Sequence, residues 1–221
     1  MSPETPHQRP LRADAERNRR LIMTTADRLF ARRGARVPLN EIAREAGIGV
    51  GTVYRRFPDL QSLVDALFTE RFTMFLDLAN RAAELPDPAQ ALRHYLLAAA
   101  QWRSEDRALE VVLANASLDT GPVARTRDQL GRLVDSLAER AATAGAVRKD
   151  FVSADVYAFL NMIGAVADRT HDVAPDAWRR YAEVLMVGFG LDPSPAEHTS
   201  ALTDDQLLDS WPKPVGEQGG Q

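Results

Sequence analysis

The sequence predicts an all-α protein with an N-terminal three-helix helix-turn-helix domain joined to a larger helical domain. Apolar residues recur at helical spacing through most of the 221 residues. No segment shows the sustained alternation with β-branched residues that indicates a strand. A glycine-rich turn at 47–51 separates two short helical segments. The 45% hydrophobic content is enough to bury a core, which excludes disorder throughout.

The first domain is expected to occupy residues 14–60, after a disordered basic arm over 1–13 that contains three prolines. Its first helix begins near Asp14 and ends at Gly34, a residue type that commonly stops helices. The remaining helices are expected, in order, over 39–46, 50–57, 60–85, 88–104, 106–116, 122–144, 153–171 and 175–190.

The second domain is expected over 61–191, and residues 192–221 form a largely irregular tail rich in proline and glycine. Within that tail, only the segment 203–211 has the composition of a short helix.

Charge is distributed unevenly along the chain. Residues 1–60 contain twelve arginines and seven acidic residues, a net charge of +5, so the rest must carry −9 to reach the overall −4. This asymmetry indicates a polyanion bound by the N-terminal part, although a solvated charged surface produces the same count. The absence of cysteine excludes disulfides and thiolate metal sites, and no segment is apolar enough for a signal or a membrane span. We therefore expect a cytoplasmic protein with no membrane partner.

The segment GIGVGTVYRRF at 47–57 admits two interpretations. A phosphate-binding loop of a nucleotide site follows a strand and opens a long helix, whereas here a helical segment precedes the glycines and only about two helical turns follow. The Walker pattern also requires a lysine, which this loop lacks. A helix-turn-helix fits better: Ala43 is small enough for a helix crossing, and Gly47 tolerates the positive φ of the turn. Apolar anchors are available at Ile42, Ile48 and Val53.

The run IAREAGIGVGTVYRRFPDLQSLVDAL resembles the DNA-binding domain of the TetR family of bacterial repressors, whose pattern is approximately I-A-x-x-A-G-V-S-x-G-T-L-Y-x-H-F-x-x-K-x-x-L. The similarity extends upstream to LIMTTADRLFARRG, which is similar to the first helix of that family, so it covers about residues 17–70. Three positions depart from the pattern: Gly49 replaces a capping serine, Arg56 a histidine and Leu60 a lysine. The resemblance implies a dimeric regulator with an all-helical regulatory domain.

The resemblance places the segment 50–57 in the DNA major groove. Thr52 and Arg55 are then the candidates for base edges, since arginine binds guanine in a bidentate way and threonine contacts the thymine methyl. The alternative for Arg55 is a solvated helix face. The residues expected at DNA are Asn40, Val50, Thr52, Tyr54, Arg55 and Arg56, with Gly47 in the turn.

The other members of this set have more than one possible role. Asn40 matches a position from which family members also reach bases, and Val50 either contacts a thymine methyl or only starts the helix. Tyr54 resembles the family tyrosine that binds a backbone phosphate, with Arg56 beside it, although Tyr54 also suits half-buried packing. Leu60 removes a phosphate contact that the family lysine would make.

In relatives, the last two helices pair with those of a second copy, which implies a homodimer. The apolar stripes of those helices serve either this interface or only the core of the chain. The residues expected at the interface are Val156, Phe159, Leu160, Ile163, Trp178, Tyr181, Leu185 and Phe189.

A cavity for an unknown small organic effector is expected among the helices of the second domain. Aromatic walls suit such ligands, although a core position is the commoner role of an aromatic residue. The proposed lining residues are Phe72, Phe75, Tyr95 and Trp102.

The sequence therefore predicts a ligand-responsive repressor that binds a palindromic operator in double-stranded DNA as a dimer and is released by its effector. The histidines have no metal-binding spacing and no catalytic constellation is recognisable, so we expect no metal, no cofactor and no enzymatic activity. The alternatives are an activator or effector-independent global regulator on the same fold, or a helical small-molecule-binding protein or enzyme.

Overall fold

The computed structural model describes residues 8–34, 36–106, 108–109, 112, 121–192 and 200–211. This part of the chain consists of α-helices and connecting segments without a strand, which confirms the all-α prediction. The helices are α1 Gln8–Arg33, α2 Leu39–Ala46, α3 Val50–Arg56, α4 Leu60–Ala83, α5 Pro88–Glu105, α6 Gly121–Thr143, α7 Ser153–Thr170, α8 Ala177–Phe189 and α9 Asp204–Asp209. Among them, none combines the length with the apolar composition that a membrane crossing requires.

Helix α1 begins at Gln8, six residues before Asp14, so part of the expected arm is helical. Pro10 does not prevent this, because it lies in the first turn, where backbone N–H groups have no acceptor within the helix. Residues 1–7 of the expected arm lie outside the described residues. The helix ends as predicted at Gly34, which has a φ of 74° and donates its N–H to the carbonyl of Phe30 at 2.9 Å.

The chain divides into two compact units, the first comprising Met1–Met74 and Ala108–Arg127, the second Phe75–Arg107 and Asp128–Gln221. The first half of α4 thus belongs with the helix-turn-helix, beyond the expected boundary at residue 60. The reason is packing, since α4 contributes a buried apolar stripe to the core of α1–α3. These core residues of α4 are Leu63, Val64, Leu67 and Phe68.

The core of the first unit fixes the helix-turn-helix. Ile22, Ala26 and Phe30 of α1 are fully buried against the apolar faces of α2 and α3. Ile42 and Ala43 of α2 are also fully buried, as the helix-turn-helix interpretation requires. Burial of a large apolar side chain contributes about 1.5–3 kcal/mol, and the fully buried Val53 in this core is how a helix as short as α3 is held in place.

The second unit is built on α5, which packs against α7 and α8. Close approach is possible because α5 presents several alanines on its buried face. At the end of α5, the buried guanidinium of Arg103 binds Asp168 of α7 at 2.9 Å and lies directly against Gly164. The helix expected over 106–116 lies largely outside the described residues.

The tail contains the expected short helix. Thr203 caps α9 by accepting a hydrogen bond from the Gln206 backbone N–H at 3.2 Å, while the Gln206 side chain accepts one from the Thr203 N–H at 3.0 Å. The Gln206 amide also donates to the carbonyl of Val173 at 3.4 Å. Residues 193–199 and 212–221 of the predicted tail lie outside the described residues.

Candidate nucleic-acid interface

The turn between α2 and α3 is made by Gly47, as the sequence predicts. Its φ of 65° and ψ of 26° lie in the left-handed region, which glycine enters without the steric cost of a Cβ. The N–H of Ile48 reaches back to the carbonyl of Ala43 at 3.0 Å, and the N–H of Gly47 to that of Arg44 at 3.2 Å. Both bonds satisfy carbonyls at the end of α2 and set the direction in which α3 starts.

The inner side of α3 is anchored by two apolar residues. Val53 is fully buried and Phe57, just after the helix, is nearly so. Gly49 caps the helix without a side-chain hydrogen bond, but its carbonyl accepts the N–H of Thr52 at 2.8 Å. These contacts hold α3 so that its opposite side faces solvent.

The outer side of α3 carries the residues that the sequence assigned to DNA. Val50 and Tyr54, which are one helical turn apart, are 44% and 43% exposed. Arg55 and Arg56 are exposed and Thr52 is half-buried. The structure thus places all five residues on α3 outside its buried side, although Val50 and Thr52 point in nearly opposite directions around the helix. Asn40 is exposed at the start of α2.

The arginines of the first unit differ in their ionic partners. Arg28 binds Glu45 at 3.0 Å, and Glu41 binds both Arg33 and Arg44. Arg56 of α3 lies 3.8 Å from Glu16 of α1, a contact that the sequence analysis did not anticipate. No local pattern indicates this contact, since forty residues separate the two side chains.

Arg55 has no ion-pair partner within the described part of the chain. Its guanidinium therefore keeps all its donors available, in the fork geometry that matches guanine or phosphate.

The start of α4 is arranged differently from the family pattern. Leu60 is half-buried and packs on the core of the first unit. Asp59 accepts a hydrogen bond from the N–H of Ser62 at 2.7 Å, so this helix end already holds a carboxylate. A phosphate contact at this point is therefore less favourable than a lysine would make it.

The residues predicted at the dimer interface differ in their burial. Val156, Phe159, Ile163 and Trp178 are buried within the chain. The sequence pattern identified the apolar stripe of each helix correctly but not the surface that covers it. The remaining four predicted residues are half-buried, namely Leu160, Tyr181, Leu185 and Phe189.

A different set of apolar residues faces solvent on α7 and α8. Tyr157 and Met162 on α7 are each 43% exposed, and Val184 and Val187 on α8 are 57% and 43% exposed. Sequence reasoning missed them because they lie outside the main apolar stripes. Val184 and Val187 are about one turn apart on α8, whereas Tyr157 and Met162 are five residues apart on α7 and point in different directions around it.

The predicted effector-lining residues are aromatic contacts of two separate groups. In the first unit, Phe72 stacks on Phe68 with ring centroids 4.1 Å apart. In the second unit, Phe75 meets Trp102 edge-on at 4.8 Å. Tyr95 is buried, which raises the pKa of its phenol well above the usual value and keeps it neutral; Tyr157 contributes in the same direction.

Two family descriptions match this chain. Residues 22–67 match the bacterial regulatory proteins of the tetR family, and residues 87–191 match the C-terminal domain of SbtR-like transcriptional regulators. An HTH-type transcriptional regulator of Staphylococcus aureus strain USA300 is 44% identical over 54 residues, which are 24% of this chain and 29% of that protein. The chain therefore matches less than a third of the length of that curated relative.

Solved structures match over far more of the chain. A TetR transcription regulatory protein from Mycobacterium vanbaalenii is 30% identical with a TM-score of 0.54, and the match covers 81% of this chain and 99% of that one. A tetR-family regulatory protein from Rhodococcus RHA1 has a TM-score of 0.64 at 22% identity, over 79% and 98% of the two chains. AibR, solved with isovaleryl coenzyme A and operator DNA, has a TM-score of 0.64 at 18% identity, over 79% of this chain and 100% of AibR. Together with the helix-turn-helix geometry, the two family matches and the 30% identical protein from Mycobacterium vanbaalenii establish that the chain belongs to the TetR family of transcriptional regulators.

Proposed function

We propose that this regulator is a homodimeric repressor that binds a palindromic operator and is released by a small organic effector. The observation that carries the proposal is the outer face of α3, where Arg55 has no ionic partner in the described residues and exposed Val50 and Tyr54 lie on the same helix. An arginine in the major groove discriminates guanine from other bases by about 1–3 kcal/mol.

Dimerisation follows from the need to read two half-sites. Two recognition helices related by a twofold axis must lie about 34–36 Å apart to enter successive major grooves. Tyr157, Met162, Val184 and Val187 supply exposed apolar side chains for a self-complementary interface on α7 and α8. Sedimentation of the chain with an operator duplex tests this stoichiometry, and we expect two chains per duplex.

The effector is proposed to bind in the second unit, beside the Phe75–Trp102 pair and the neutral phenol of Tyr95. Aromatic side chains with one nearby hydroxyl suit an organic molecule of low polarity. The same fold in AibR accommodates isovaleryl coenzyme A together with operator DNA. Effector binding releases the operator if the effector prefers a conformation in which the two α3 helices of the dimer no longer match the two half-sites.

The first experiment is selection of bound duplexes from a random-sequence library, which identifies the operator sequence directly. Affinities of the wild type and Arg55→Ala are then compared on the selected operator and on a mixed-sequence duplex. We expect Arg55→Ala to cost about 1–3 kcal/mol on the operator and much less on mixed sequence. Arg32→Ala is the matched control, because it removes an exposed arginine of the same unit from α1 rather than α3.

Equal losses on both duplexes would assign Arg55 to phosphate contacts. A library that yields no enriched sequence would contradict sequence-specific binding altogether. Repression itself is tested by placing the selected operator before a reporter gene: expression should fall when the regulator is present, and a rise would identify an activator.

A further inference from the structure

The side chains of Glu16 and Arg56 form an ion pair at the edge of the proposed DNA-binding face. The Glu16 carboxylate lies 3.8 Å from the Arg56 guanidinium, and the two side chains are 53% and 46% exposed. An exposed pair of this kind is weak, so a DNA phosphate can displace the carboxylate from Arg56. Glu16 is therefore a replaceable partner of the Arg56 guanidinium and contributes little to the stability of the fold.

The displaced carboxylate cannot move far from the phosphate. Glu16 lies on α1, which is anchored by buried Ile22, and Arg56 follows the buried Val53 on α3. Because both backbones are fixed in helices, Glu16 stays well inside the screening length of about 8–10 Å from any phosphate that Arg56 binds. Its negative charge then opposes the phosphate that its partner attracts.

Resting on the proposed function, we infer that Glu16 tunes DNA affinity by competing with backbone phosphate for Arg56. Phosphates carry no sequence information, so the competition lowers affinity for every duplex by the same factor. Glu16 thus sets how tightly and how salt-dependently the regulator binds, while the choice of sequence stays with Arg55.

The test measures binding of Glu16→Gln to a fluorescent mixed-sequence duplex of about 30 base pairs, roughly three helical turns, over a series of salt concentrations. We expect binding to tighten roughly two- to fivefold at low salt. The slope of log affinity against log salt should steepen by up to about 0.9, because one more phosphate contact is gained at full strength. Glutamine keeps the size of the side chain and its helix propensity, so folding is unaffected.

The matched control is Glu45→Gln. This substitution on α2 breaks a similarly exposed ion pair with Arg28, which lies on α1 as Glu16 does. Arg28 lies twelve residues after Glu16, about 18 Å along the helix, which is beyond the screening length. We expect no gain in this variant. A gain equal to that of Glu16→Gln would mean that net charge alone acts, and would overturn the inference.

A double-mutant cycle isolates the partner. Glu16→Gln is repeated in an Arg56→Gln background, where we expect the gain to disappear. A gain that persists there would show that Glu16 acts without Arg56. If the wild type binds DNA and Glu16→Gln binds with the same affinity, this inference alone is refuted. If the wild type binds neither the mixed-sequence nor a selected duplex, the proposed function is refuted.

Discussion

Gly51 offers a perturbation in which stability and DNA binding are expected to change in opposite directions. It is the second residue of α3 and is exposed, and a Cβ added there meets no protein atom within 4 Å. Its backbone is not in the left-handed region, so alanine fits without strain. The fold therefore does not require glycine at this position.

Gly51→Ala should stabilise the protein. Alanine is favoured over glycine by about 0.8–1.0 kcal/mol inside a helix, and we take about 0.5 kcal/mol because Gly51 lies in the first turn. For a chain of this size that corresponds to a rise in Tm of about 1–2 °C. Urea unfolding measures the same difference directly.

DNA binding should weaken in the same variant. If the start of α3 enters the major groove, the absent side chain at Gly51 allows close approach of the helix to the duplex. We expect a methyl group there to cost about 1.4 kcal/mol, a tenfold loss of affinity for a selected operator, measured by fluorescence anisotropy.

Gly47→Ala is the control and should destabilise the protein. The φ of 65° at this position costs a non-glycine residue about 1–2 kcal/mol. Unchanged operator affinity in a stabilised Gly51→Ala would remove Gly51 from the close-contact surface. A destabilised Gly51→Ala would refute the helical environment on which the reasoning depends.

Two further substitutions test other parts of the chain. Leu60→Lys should tighten binding to all duplexes, because it adds a cation beside Asp59 at the start of α4. The slope of log affinity against log salt should steepen by about 0.9, and an unchanged slope would mean that this helix end does not approach DNA. Gly164→Ala should destabilise the protein by about 2–3 kcal/mol in urea unfolding, because its Cβ would lie 2.4 Å from the buried Arg103 guanidinium and disturb the 2.9 Å contact with Asp168. A cost below about 0.5 kcal/mol would mean that Arg103 has room to move away.

Local features of the sequence were sufficient to predict the helix-turn-helix. Gly47, the apolar anchors and the ends of α2 and α3 depend on residues within one or two turns of each other, where helical period and turn chemistry decide the structure. The predicted start of α1 near Asp14 is too late. Three prolines and a lack of apolar periodicity over 1–13 indicate disorder, although a first-turn proline such as Pro10 does not oppose a helix.

The sequence does not predict which apolar face of α7 is covered within the chain. Helical spacing identifies Val156, Phe159 and Ile163 as one apolar face of α7, but a periodic stripe does not say whether α5 or a second copy covers it. In this chain α5 packs against α7, and Tyr157 and Met162, which lie outside that stripe, are left exposed. Which stripe is internal depends on long-range packing, and only the structure supplies that information.

Net charge has a similar limit as a guide to the DNA-binding face. The +5 of residues 1–60 predicts a polyanion partner, but Arg28 and Arg33 are already paired with Glu45 and Glu41. Paired charges largely cancel beyond the screening length, so they contribute little to attraction at a distance. Arg55 has no such partner in the described residues, so its charge attracts DNA phosphates towards α3. The salt dependence of binding should therefore indicate fewer phosphate contacts than the twelve arginines of residues 1–60 suggest.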